Sequence, residues 1–423
     1  MAENQVIELY FQGVEIAKIG YDENRRKASF QYNPEFLALN IYKRLFPYII
    51  KRTSIVQVFS EFEGETFRGL PPMIADSLPD YFGNIVFREW LESARKDLKS
   101  ISPLEQLTYV GKRAMGALEF APAKEMDSSS GINIGEITEV VRKVLDLKTS
   151  VEEKGLTDIA LLNIFKIGTS AGGARPKVLI SEHKLTANLI PGDLVTSNEY
   201  NHYLIKLCIE ENQTYSKEKV EYIYYKMAVA AGIDIMPSKL IEDKHFATLR
   251  FDRQQGEKIH VLTASGMTGW DFTLPEHSSY ENLFRLANDL RVPHKDIRQL
   301  FRRMVFNLVF ANTDDHLKNF SFMYDKQEDR WYLAPAYDLT YPLDALLNYT
   351  RVTRALSVNK KRTGITKEDL LLIADQFSVK DANGIIKEVT QVALIFRQLC
   401  SLYDIPEKAA DKIESEFHFF YKL

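Results

Sequence analysis

Residues 300 to 322 read "LFRRMVFNLVFANTDDHLKNFSF", and two different patterns meet inside that stretch. The first half is apolar at helical spacing and predicts a buried helix, with Arg302 and Arg303 read as surface charges or phosphate contacts. The second half gathers Asp314, Asp315, His316, Lys318 and Asn319 into six positions. Asp314 and Asn319 stand five apart, so a short loop aims one carboxylate at a hydroxyl while an amide oxygen one turn later reaches a metal ion. A hydroxyl is a poor nucleophile whose proton needs an acceptor as it attacks. Asp314 is the expected acceptor.

The same spacing separates the catalytic Asp and the metal-binding Asn of protein kinases. Nineteen residues past Asn319, Asp338 in "APAYDLT" follows a strand-like "RWYLA". It is a hard oxygen donor of the kind Mg²⁺ prefers, although an Asp there also serves to cap a turn. Upstream, "FKIGTSAGGARPKVLI" offers Gly168, Gly172 and Gly173 followed by Lys177. Such a loop brings backbone N–H groups close to phosphate oxygens, but it lacks the Walker spacing and is weak evidence alone. Lys206 lies inside the apolar "HYLIKLC", where burial requires an anionic partner. Glu221, fifteen residues on, is the expected one. "DDH" also has the look of a metal-dependent phosphohydrolase, but the remaining histidines form no i, i+4 pair, so His316 reads as support and not as a ligand.

The bulk numbers narrow the class. The chain has 423 residues, 45% hydrophobic and 26% charged, with a formal net charge of -4 and a pI near 6.1. Two or three soluble domains are expected, and no global basic field favours nonspecific nucleic-acid binding. Cys208 and Cys400 are the two cysteines, which argues against a disulfide framework and fits a reducing cytosol. The first residues lack a signal-peptide pattern and no run approaches a membrane span, so a cytoplasmic protein without membrane contact is expected. "ELYFQG" (8–13) resembles a protease site, but the alternation continues past Gly13 as strand, turn and strand.

Along the chain, residues 5 to 32 alternate as a small antiparallel sheet. A helix is expected at about 84 to 94, an exposed linker at 124 to 136, and strands at "KVLIS" and "HYLIKLCI". A helix then runs from "KEKVEYIYYKMAVAAG" to Gly232, followed by strands around "SKLIED" and "HFATLRFDR". Helices dominate from about 279, one of them opened by a capping box of Thr366 and Asp369. Strands first and helices last is an α+β plan with its site at the lobe junction.

Taken together and in order, "GLPPMIADSLPDYFGN", "YVGKRAMGALEFAPA", "GTSAGGARPK", "LRFDR", "LFRRMVFNLVFANTDDHLKNFSF" and "LAPAYDLT" resemble the HipA family of serine/threonine kinase toxins from type II toxin–antitoxin modules. The resemblance implies a protein-kinase-like two-lobed fold. Its parts are a β-rich N-terminal subdomain (1–123), an N-lobe-like region with Gly-rich loop and hinge (124–253) and an all-helical C-terminal lobe (254–423). It implies ATP and Mg²⁺ as cofactors, Asp314 as base, Asn319 and Asp338 as metal ligands, and Lys206 on the phosphates with Glu221 as its ion-pair partner. Ser170, Ala171, Gly172, Gly173 and Lys177 would cradle phosphate, Leu249, Arg250 and Phe251 would form the hinge, and His316 and Lys318 join the cofactor-binding set. Ser170 matches the serine that family members autophosphorylate, with Thr169 a second acceptor beside it. A HipB-like DNA-binding antitoxin is the implied partner, DNA being met only through it, and an aminoacyl-tRNA synthetase exemplifies the implied targets. A small-molecule phosphotransferase and a nucleotide-binding pseudokinase are the alternatives.

Overall fold

The computed structural model describes residues 5–79, 81–93, 101–123, 133–145, 175–192, 197–209, 215–342 and 353–421. The expected linker from 124 falls mostly outside them, as do Thr169, Ser170, Ala171, Gly172 and Gly173.

Three N-terminal strands, β1 (Gln5–Phe11), β2 (Val14–Asp22) and β3 (Lys27–Tyr32), join β4 (Gln57–Phe59) and β5 (Leu118–Ala121) in an antiparallel sheet of order β4-β3-β2-β1-β5. Gln12 and Gly13 both take positive φ, 52° and 77°, the turn that matches the twist of a tight hairpin. The stretch that resembles a protease site is thus a central strand, paired with β2 on one side and β5 on the other. Helices α1 (Pro34–Leu39), α2 (Pro72–Ala75), α3 (Tyr81–Ser93), α4 (Pro103–Val110) and α5 (Ile134–Leu145) fill the rest of this half.

A second antiparallel sheet contains β6 (Lys177–His183), β7 (Leu189–Pro191), β8 (Tyr200–Lys206), β9 (Ser238–Ile241) and β10 (His245–Leu249), in the order β7-β6-β8-β10-β9. Val178, Ile180, Tyr203 and Ile205 on one of its faces bury against Phe82, Val86 and Phe87 of α3 and Val141 and Val144 of α5. The early helices therefore build the second sheet's core as well as their own. Behind it runs α6 (Lys217–Ala230), whose N-cap Ser216 accepts from the Lys219 amide and which is followed by Gly232 at φ +70°.

The remainder is mostly helical: α7 (Ala264–Thr268), α8 (Tyr280–Asp289), α9 (His294–Val309), α10 (Lys367–Gln376), α11 (Ala382–Gln391), α12 (Phe396–Leu402) and α13 (Glu407–Ser415). It is not all-helical, however. A short hairpin of β11 (Arg253–Gln254) and β12 (Glu257–Lys258) leads into a three-stranded sheet of β13 (His260–Thr263), β14 (Ser321–Asp325) and β15 (Arg330–Leu333). The β14–β15 hairpin separates the two polar loops of interest, because paired strands fix the distance between their ends more rigidly than a coil does. Helix α9 is buried nearly all round, including Ile297, Phe301, Met304, Val305 and Phe306. Its Arg302 pairs with Glu388 at 2.8 Å and donates to Ala231 O at 2.7 Å, while Arg303 is buried beside Asp234. Neither arginine reaches the cleft as a phosphate contact. The capping box of Thr366 and Asp369 opens α10 as expected.

Candidate active site

Antiparallel register sets Lys177, the first residue of β6, directly opposite Lys206, the last of β8. Both are buried, at 4% and 6% exposure, and like charges facing each other across a strand pair repel. The arrangement persists because carboxylates face it. Lys206 Nζ donates to Glu221 Oε1 of α6 at 2.6 Å and to Asp338 Oδ1. Arg175, two residues before Lys177, lies 3.8 Å from Glu221 Oε2. Burial alone would lower the Lys206 pKa, but Asp338 and Glu221 outweigh it and raise it. Burial would likewise raise Asp338, yet Lys206 and Lys177 hold its carboxyl well below the usual carboxylate range. Both groups are therefore charged at neutral pH.

Asp338 sits at φ +57°, a conformation that costs a residue with a side chain on the order of 1–3 kcal/mol. The strands on its N-terminal side impose it. Ala334 N bonds to Ser321 O at 2.9 Å, Ala336 N to Asp234 O at 2.7 Å, and the Tyr337 hydroxyl donates to Lys318 O at 2.7 Å. Strain held by such over-determination is common where a side chain has been aimed.

Across the cleft, α9 ends at Val309 and Ala311 turns left-handed at φ +53°. The following loop presents Asp314 with its side chain 67% accessible. Enclosure by the cleft walls raises the Asp314 pKa; His316 Nε2, 4.0 Å away, opposes this, while Asp338 and Asp315 add to it. A raised carboxyl is a better proton acceptor near neutral pH. The 3₁₀ turn Leu317–Asn319 brings Asn319 Nδ2 to Asp314 O at 2.8 Å. That bond commits the amide nitrogen and leaves the amide oxygen as the group's donor for a ligand.

The donor set fits Mg²⁺. Asp338, with one oxygen held by Lys206, and Asn319 supply hard oxygens on two loops, and Mg²⁺ takes only one or two carboxylates while filling its other positions with phosphate and water. Among the described residues no cluster of three or more His, Cys, Asp or Glu converges, so the residues do not offer a site of the histidine- or thiolate-rich kind.

Other predicted positions lie nearby in different roles. Arg250 is buried and its guanidinium binds Asp252 through two bonds of 2.9 and 2.8 Å, so its side chain serves the hinge and not a ligand. Leu249 is half-buried and its N–H bonds Pro237 O at 2.9 Å; Phe251 is buried, 5.8 Å from the Tyr337 ring. His316 and Lys318 both rest on Phe272, each about 5.0 Å from its ring centre. Asp315, which shares the polar run with Asp314, is 1% exposed and takes part in no cleft. Sequence reasoning missed Arg175 and the partner of Asp315, Arg354, at 2.6 Å. Nothing local in the sequence marks either.

A family model described as the HipA-like C-terminal domain matches residues 169–395, and another described as the HipA N-terminal domain matches residues 7–121. The chain belongs to the HipA family. The HipA-type fold is also seen in solved structures: a chain of the Shewanella oneidensis complex of toxin–antitoxin HipA, HipB and operator DNA superposes with a TM-score of 0.60. That match covers 97% of this chain and 94% of the other at 15% identity, a likeness of fold. Among curated proteins, "Putative kinase Y4dM" of Sinorhizobium fredii is 27% identical over 131 residues, 30% of this chain and 31% of its own length. A Haemophilus influenzae protein named "Putative kinase" is 26% identical over 193 residues, 40% of this chain and 52% of its own. The chain thus spans between about a third and a half of these two relatives. No helix among the described residues is long and apolar enough to cross a membrane.

Proposed function

We propose that this HipA-family protein is an ATP- and Mg²⁺-dependent serine/threonine protein kinase, the toxin of a type II toxin–antitoxin module. The observation that carries the reading is the convergence of Asp314 and Asn319 of one loop, Asp338 of a second, Lys206 of β8 and Glu221 of α6 on one cleft. Lys206, oriented by Glu221, sits with Lys177 and Arg175 where anionic phosphates need neutralising. Asp314 takes the proton of the acceptor hydroxyl. Asp338 and Asn319 would hold Mg²⁺, which when bound offsets charge on the phosphate oxygens.

Ser170, with Thr169 beside it, is the proposed site of autophosphorylation. Phosphate there adds nearly two negative charges to a loop that must cradle anions, and the repulsion switches the enzyme off. Family membership and the likeness to a chain of a HipA, HipB and operator DNA complex support a HipB-like DNA-binding antitoxin as partner. A translation component, such as an aminoacyl-tRNA synthetase, is the proposed target.

Intact-mass analysis of unmodified wild type and Asp314→Asn after incubation with ATP and Mg²⁺, with peptide mapping, tests the reading. Phosphate on residues 168–177 of the wild type and none on the variant is expected, since removal of a general base costs about 10²–10⁴-fold. A wild type that gains no phosphate and transfers none to protein acceptors overturns it.

A further inference from the structure

After Asp338 the chain returns through residues 353–358 along the back of the loop that carries Asp314. Arg354 Nη1 donates to Asn312 O at 3.1 Å and to Asp315 Oδ2 at 2.6 Å, while Nη2 donates to Asn307 O at 2.9 Å. The next two amides continue the pairing, Ala355 N to Thr313 O at 2.9 Å and Leu356 N to Asp315 Oδ1 at 3.3 Å. A ring of hydrogen bonds then closes through α8 and α9. Tyr280 OH donates to Asp315 Oδ2 at 2.6 Å, Asn307 Nδ2 to Tyr280 OH at 3.0 Å, and Asn312 Nδ2 to Asn307 Oδ1 at 3.0 Å. Asn312 Nδ2 also lies 3.5 Å from Asp338 O, which ties the ring to the second loop of the cleft.

All five side chains in the ring are buried, from Tyr280 at 0% to Arg354 at 6%. Asn307 O belongs to the last turn of α9, where carbonyls lack helical partners, and the guanidinium supplies one. Both Asp315 oxygens are occupied by donors, so this carboxylate is an anchor and not a metal ligand. A planar guanidinium with several donors in fixed directions is suited to hold a helix end, a loop carbonyl and a carboxylate at once.

Resting on the kinase reading, we propose that Arg354 is a positioning residue for phosphoryl transfer: by clamping Asn307, Asn312 and Asp315 it fixes the backbone that aims Asp314. Asp314 is flanked on both sides by clamped residues, Thr313 through its carbonyl and Asp315 through its side chain. Its own side chain is accessible from the cleft and takes part in none of the ring's bonds. Misplacing a reacting group by about 1 Å is enough to lower turnover on the order of 10²-fold.

Arg354→Lys tests the clamp, since lysine retains the charge beside Asp315 and lacks the second arm. The expected result is a kcat lower by about 10- to 100-fold with KM for ATP changed by less than about threefold. Tyr280→Phe, which keeps the packing and removes one Asp315 donor, is expected to lower kcat in the same sense by roughly two- to fivefold. Amide hydrogen exchange reads the positioning independently of activity. In Arg354→Lys the amides of Ala355 and Leu356, which donate to Thr313 O and Asp315 Oδ1 of the loop, are expected to exchange at least about tenfold faster while those in the middle of α9 do not change. Unchanged exchange at these two amides overturns the clamp. Faster exchange with wild-type kcat, or a kcat loss matched by a rise in KM, overturns its part in transfer. A wild type inactive with ATP whose loop still loosens in the variant overturns the kinase reading and leaves the clamp as structure alone.

Discussion

Two buried charge clusters, one around Asp252 and one around Lys206, differ in how completely they are closed. In the first, Asp252 is 0% exposed and accepts from Arg250, Arg253 and the Gly116 amide at 2.8 to 2.9 Å. Arg253 also reaches the carbonyls of Gly116 and Ala114 at 2.9 and 3.0 Å. Gly116, at φ +79°, is crowded by backbone, since a Cβ would meet Val261 N at 3.0 Å and Val261 O at 3.2 Å. This cluster locks the segment before β5 onto the hinge. The second cluster, Lys206 with Glu221, Asp338, Lys177 and Arg175, opens onto a cleft: the Asp338 side chain is 34% accessible. A buried network closed to solvent serves architecture, whereas one that leaves cations beside an open space is prepared for an anion.

The sharpest way to break that contrast is to remove one member of each. Asp252→Ala leaves two guanidinium groups buried without their carboxylate and is expected to cost about 3–5 kcal/mol, read as a drop in the urea midpoint. Lys206→Met is expected to leave stability within about 1–2 kcal/mol, because Arg175 still faces Glu221 and Asp338 can turn to water. The same variant is expected to lower phosphoryl transfer from ATP by about 100-fold or more. If Lys206→Met unfolds the protein as readily as Asp252→Ala, the two clusters are alike and the cleft reading weakens.

A third buried polar group, His260 on β13, makes neither kind of network. Its ring lies among Phe11, Phe46, Tyr324 and Trp331 at centroid distances of 5.4 to 6.4 Å, and neither ring nitrogen has a protein partner. Burial lowers its pKa to about 3, well under the ordinary 6.5. As pH falls from 6.5 toward 3 the unfolded chain takes the proton first, so stability is lost across that window by up to about 1.4 kcal/mol per pH unit. His260→Phe is expected to flatten that component of the acid limb in denaturation curves collected from pH 7 to 4. An unchanged slope would show that the histidine is not buried neutral.

Much of this was legible in the one-dimensional pattern. Alternation located β1 to β3 and the strands flanking Lys206, and helical spacing located α6, α8, α9 and α10, because those periods report which side of an element is dry. The Asp314, Asn319 and Asp338 spacing was legible because a loop of fixed length delivers them. The Lys206–Glu221 pair was legible because a lysine in an apolar strand requires an anion. The small sheet of β13, β14 and β15 was missed as a unit, since its strands come from segments some sixty residues apart and pair through long-range register.

The sequence by itself determined the family, the α+β order and the chemical identity of the cleft residues, since these follow from residue type and short spacing. Only the tertiary structure decided which of the two neighbouring aspartates faces the cleft. It also decided that Arg250 serves Asp252 and not a ligand, and that Arg354 stands behind the loop. Adjacent side chains on a non-repetitive loop point in directions set by what packs against them. The partners that select the direction of Asp315 come from as far as 41 residues away along the chain, between Leu356 and Asp315.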